Sequence, residues 1–232
     1  MNTDKHKLLA ALVRSFFDAF SSGVIDCAQG SIEERRQPKH VKRAMLDHYE
    51  QIAPAFFDTL FFPLATIHFS YEEMERVVRE ARQQGEDMMS LVRRACGSEA
   101  FYEALVAEYK RNFSALLEGA CPSVADHLAA CAKQQEGEGI DTDRAIELTV
   151  RVVMHAYARG LRVAGGQGAH FRQVTLSRLL LDAMNVLLLD DVADYSDCRE
   201  NLTAMFVKAC GSEQRFSVMT AEMDRTHQEI MG

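Results

Sequence analysis

Apolar residues in this chain recur at steps of three and four almost everywhere, and that spacing limits the fold more than any other feature. Leu8, Leu9, Leu12, Val13, Phe16, Phe17 and Phe20 form one such face, and Met74, Val77, Val78 and Ala81 form another. A period near 3.6 with no alternating run of strand length predicts helices and no sheet. Abundant Ala, Leu, Glu, Arg and Met with only four prolines agrees with this. The expected fold class is all-α, a multi-helix bundle of two related helical units packed about a pseudo-two-fold.

Punctuation places the elements. Asp4 is the expected cap of the first helix and Gly23 its stop. A second helix is expected from Pro38, carrying Val41, Met45, Tyr49 and Ile52, and kinked or ended by Pro54. Ser70 and Glu73 form a capping box. Gly85 and Gly97 stop the next two helices, and Ser98 opens a longer one with Phe101, Leu105, Tyr109, Phe113 and Leu116. Another helix is expected from Pro122 and Ser123. The polar stretch 133–139, KQQEGEG, reads as a linker. Asp141 or Asp143 then caps a helix to about Ala164, and a loop at 165–168 precedes a long helix from His170 to Leu189. The last two helices are expected near Ser196 and Ser212. The predicted organisation is an N-terminal unit over 1–132, a linker over 133–141 and a C-terminal unit over 142–232, with room for the units to pack as one domain.

An internal repeat supports two related units. ACGSE occurs at 95–99 and again at 209–213. The match continues without gaps: Leu91 meets Met205, Arg94 meets Lys208, Glu108 meets Glu222 and Arg111 meets Arg225. With a different offset, residues 56–71 align with 180–195, so that Asp58 meets Asp182 and Tyr71 meets Tyr195. Glycine suits the left-handed end of a helix and serine the cap of the next, so helix–turn–helix grammar accounts for part of the match. Ala-Cys before Gly-Ser lies outside that grammar.

Bulk properties narrow the function classes. The 232 residues are 47% hydrophobic and 26% charged, which is globular arithmetic. A net charge of −8 with a pI of about 5.5 argues against nucleic-acid binding as the main role. Six cysteines, none in a Cys-x-x-Cys pair, read as free thiols of a reducing cytoplasm. The N-terminus shows no signal-peptide pattern, and FFDTLFFPLATIHF at 56–69 is too short to span a bilayer. That phenylalanine-dense stretch reads as core, with a pocket wall or subunit interface as the functional alternative.

No arrangement of residues amounts to a catalytic signature. Glu-x-x-His, zinc spacings, a P-loop and a nucleophile elbow are all missing from the sequence, so no cofactor or metal is expected. His155 and His170 invite a phosphotransfer reading. A helical phosphotransfer histidine has lysine three residues on and glycine four, whereas Arg159 and Gly160 fall one position later. The candidate ligand-pocket residues are Phe57, Phe61, His155 and Met184. The basic cluster Arg35, Arg36, Lys39 and Arg43, with His40 and Lys42 between, is the candidate surface for a partner. The functional expectation is a non-catalytic cytoplasmic helical module acting through a protein partner or self-association. The alternatives are a small-molecule sensor with an apolar pocket between helices, or a phosphotransfer or other enzyme using a helix histidine.

Overall fold

The computed structural model of the chain describes residues 2–28, 34, 36–119, 139–166, 171–188, 194–198 and 201–232. Ten α-helices lie among them, in an all-α multi-helix bundle. A strand β1 (Asn2–Asp4) leads into α1 (Lys5–Cys27), followed by α2 (Pro38–Asp47), α3 (Tyr49–His68), α4 (Tyr71–Gln84), α5 (Met88–Ala95) and α6 (Glu99–Leu117). The second half opens with β2 (Gly139–Asp141) and continues with α7 (Thr142–Val163), α8 (Gln173–Leu188), α9 (Leu202–Cys210) and α10 (Glu213–Met231).

The caps are those the sequence encodes. The Asp4 carboxylate accepts from the His6 and Lys7 amides, each at 2.9 Å, and Asp141 accepts from the Arg144 amide at 3.3 Å. Ser70 and Glu73 close the capping box that opens α4. Both ACGSE copies build the same turn. Gly97 and Gly211 hold φ of 68° and 77°, and Ser98 and Ser212 cap α6 and α10 through the amides three residues on. Nearly three turns further along each helix sits a buried glutamate, Glu108 or Glu222, paired with Arg111 or Arg225.

α1 and α7 cross at the centre, α6 packs on α1, α10 packs on α7, and α3 and α8 flank the crossing. α1 is long and apolar enough to cross a membrane by length and composition. Yet 94% of its most apolar stretch is buried by its neighbours, so that surface is core. Leu8, Leu12, Phe16 and Phe20 are fully enclosed with Tyr157, Leu148 and Val152 of α7. The crossing needs glycine on both sides. A Cβ on Gly23 would overlap the Tyr157 carbonyl oxygen, and one on Gly160 would overlap that of Phe20.

Three details differ from the sequence reading. Gly23 does not stop α1, which runs four residues further, because the absent side chain serves the α7 contact. Pro54 does not end a helix; it sits with Pro63 inside α3, and the chain breaks instead at His48. Two three-residue strands exist where none is expected. They pair antiparallel, Asn2 with Asp141, Thr3 with Ile140 and Asp4 with Gly139, and are too short for alternation to register. Residues 139–141 of the expected linker therefore form β2, while 133–138, the helix expected from Pro122, and His170 lie outside the described residues. The penultimate helix starts at Leu202, capped by Asn201, and not near Ser196.

The strand pair exposes a correspondence between the halves. The offset that carries Asp4 onto Asp141 also carries Val13 onto Val150, Arg14 onto Arg151, Ala19 onto Ala156, Phe20 onto Tyr157 and Gly23 onto Gly160. α6 and α8 pack on α1, and α10 and α3 pack on α7.

Candidate functional site

Two polar regions interrupt the apolar packing. The first lies between α1 and α8. Asp18, Ser21, Ser22, Ile25 and Asp26 repeat along one face of α1, and with Arg36, Val41, Gly119 and Arg178 they enclose about 220 Å³. Arg178 donates to Ser22 Oγ and to Asp182, both at 3.0 Å, and reaches Asp18 at 3.4 Å. The Tyr157 hydroxyl donates to Asp26 Oδ2 at 2.6 Å, and Arg172 donates to the Asp26 carbonyl oxygen at 3.0 Å. Burial, with Asp26 beside it, pushes the Tyr157 phenol far above its ordinary range, so it stays a donor. These bonds fasten α1 to α7 and α8.

The second region lies between α3 and α7. Arg151, His155 and Arg159 follow each other at steps of four, so they share a stripe of α7. Opposite them stand Asp58, Thr59, Phe62 and Pro63 of α3, and the cleft measures about 180 Å³. Arg159 donates to Asp58 at 3.2 Å. Arg151 donates to Glu222 at 3.0 Å and to Glu229 at 2.6 Å, and His155 Nε2 lies 3.8 Å from Glu229. Burial is the main force holding the His155 pKa below its ordinary 6.5; Arg151 adds to it and Glu229 opposes it.

Thr59 sets this cleft apart. It is only 8% exposed, and its hydroxyl is buried with no hydrogen-bond partner. Pro63, one helical turn on, has no N–H to give to the Thr59 carbonyl. An unpaired buried hydroxyl costs about 1–3 kcal/mol. Thr59 lines a cleft whose other wall carries two guanidinium groups.

The sequence candidates fall in different places. His155 lines the α3–α7 cleft. Phe57 is half-buried against Phe56 and Tyr109, with ring centroids 5.4 Å and 6.4 Å away, and Phe61 is half-buried at the edge of the core. Met184 is fully enclosed in the core. Arg36 rims the α1–α8 cleft, Lys39 and Arg43 are exposed on α2, and Arg35 lies outside the described residues. Sequence reading missed Thr59, Arg151 and Arg159. The four-residue steps of Arg151, His155 and Arg159 were the available signal, but nothing local connects them to Thr59.

Other chemistry is sparse. Among the described residues, no group of three or more His, Cys, Asp or Glu converges as a metal site. Cys27, Cys96, Cys198 and Cys210 are free thiols. Burial pushes Cys96 up to about 12 and Cys210 up to about 11, so both stay protonated near neutral pH. Comparison with protein-family models, curated proteins and solved structures gave no match.

Proposed function

We propose that this chain is a helical regulatory module, built from two halves related by duplication about a pseudo-two-fold, that binds a small polar molecule in the α3–α7 cleft. The orphan Thr59 hydroxyl, buried opposite Arg151 and Arg159, carries this reading. A cleft on which a few polar groups converge is the usual candidate for a small-ligand site. The pocket expected from the sequence was apolar; the one supported here is polar and shares only His155 with it. Ligand-observed NMR over a panel of small acids, amines and sugars tests the proposal. One class is expected to bind saturably, one molecule per chain, and to be lost in Arg159→Leu. No saturable binder across the panel would overturn it.

A partner surface is the second reading, and α2 favours it. Lys39, Lys42, Arg43 and Leu46 are exposed at helical spacing, and Tyr49 continues the row; Leu46 and Tyr49 are 50% and 52% exposed. A basic and apolar row suits an acidic, apolar segment of another protein or of a second copy.

A further inference from the structure

Part of the α3–α7 cleft recurs between α1 and α8, where the space beside Arg14 and Ala183 is closed and that beside Ser22 and Arg178 is open. Between α1 and α8, Arg14, Asp18, Asp182, Ala183 and Val186, with Ser15 and Leu179, line a gap of about 10 Å³. The offset that carries Gly23 onto Gly160 carries Arg14 onto Arg151, Asp18 onto His155 and Ser22 onto Arg159. The offset that carries Asp182 onto Asp58 carries Ala183 onto Thr59 and Val186 onto Phe62. Five residues lining the closed gap are thus counterparts of five lining the open cleft of about 180 Å³, while Ser22, the counterpart of Arg159, lines the neighbouring α1–α8 space.

Three differences between the copies share one chemical direction, and a fourth, Arg178 against Pro54, runs the other way. An acceptor-only carboxylate (Asp18) becomes an imidazole, a serine becomes a guanidinium, and an alanine becomes a hydroxyl. Each change adds a hydrogen-bond donor to the space. In the closed copy, Arg178 fills the gap's charge by bonding Asp18 and Asp182 together. Its counterpart in the open copy is Pro54, which offers no charge. Arg159 is bonded to Asp58 through one of its two terminal nitrogens, and that pair is half exposed, so Asp58 holds it weakly.

From this comparison we infer that the open cleft binds a small oxyanion, a carboxylate, phosphate or sulfate group, held by Arg159, His155 and the Thr59 hydroxyl. The inference rests on the cleft being a small-molecule site, and it names the class of ligand. Arginine forks match the planar and tetrahedral oxygens of such groups, and the hydroxyl of Thr59 donates to the oxygen that enters deepest. Glu229 of α10 stays on Arg151, so Arg159 is the arginine that meets the ligand.

Binding is coupled to protons through His155. The charged groups facing it are Arg151, Arg159 and Arg162 of its own helix and Glu229 of α10, with Asp58 across the cleft. An oxyanion beside the ring favours the imidazolium, so binding takes up a proton and strengthens as pH falls through the His155 titration, which burial holds below its ordinary range in the free protein.

The test is NMR titration of the His155 ring protons in sulfate, whose charge is constant over this range, against chloride at equal ionic strength. Sulfate is expected to bind and to move the His155 titration to higher pH. Thr59→Val and Arg159→Gln, both checked for fold by circular dichroism, are each expected to weaken sulfate binding by about tenfold. A parallel titration with ethylammonium separates the two levels. Binding of ethylammonium and not of sulfate overturns the oxyanion while leaving a small-molecule cleft. Binding of neither, or sulfate binding unchanged in both variants, overturns the oxyanion site altogether.

Discussion

Gly160→Ala is expected to destabilise the protein by about 3 kcal/mol, lowering Tm by roughly 10 °C. In an exposed helix the same change stabilises by nearly 1 kcal/mol, because alanine is the better helix former. The sign reverses here because the new methyl would overlap the Phe20 carbonyl oxygen, which belongs to the backbone of α1 and cannot turn aside. α1 and α7 must then separate along the most extensive helix contact among the described residues. Gly211→Ala is the control. Its φ of 77° strains an alanine, yet the nearest atom is a mobile arginine nitrogen at 3.5 Å, so the cost is expected to be about 1 kcal/mol. Thermal unfolding of the two variants side by side checks the ratio.

Arg151→Leu is expected to cost about 3 kcal/mol, because it takes the α7 partner from a carboxylate that is almost wholly buried. Glu222 is 1% exposed and accepts from Arg151 at 3.0 Å, from Arg225 at 2.6 Å and from Thr226 at 3.2 Å. Removing one partner of a buried ion pair leaves charge without its compensation. Arg225 is largely exposed and follows Glu222 on the same helix, so only Arg151 ties α10 to α7 at this point. Arg159→Gln breaks a half-exposed pair with Asp58 and is expected to cost under about 1 kcal/mol. Chemical denaturation separates the two: the first lowers the midpoint strongly and the second barely moves it.

Much of the fold was legible in the sequence because local rules govern it. Asp4, Ser70, Ser98, Asp141 and Ser212 all cap the helices that their positions predict. The ACGSE copies marked two equal turns. Gly23 was misread because its role lies across the molecule: a glycine that stops a helix and one that admits a neighbour look alike along the chain. The correspondence of α1 with α7 escaped for a related reason. Its identities are Val13, Arg14, Ala19 and Gly23, scattered along a mostly buried face where many apolar residues serve equally well.

The candidate site was legible only as His155. Thr59 is an ordinary helix threonine until Pro63 and the α7 arginines are set around it, and those residues are about ninety positions apart in the chain. Burial without a hydrogen-bond partner is a property of the packed molecule. The apolar pocket expected from Phe57, Phe61 and Met184 followed from composition alone, which cannot separate core from cavity lining.

Selenate is an oxyanion whose anomalous scattering locates it without assumption. Crystals grown with selenate are expected to show a peak in the α3–α7 cleft, within hydrogen-bond distance of Thr59 Oγ1 and the Arg159 guanidinium, and no peak in the closed copy beside Arg14 and Asp18. Selenate found only elsewhere, with the α3–α7 cleft holding water alone, would contradict the site.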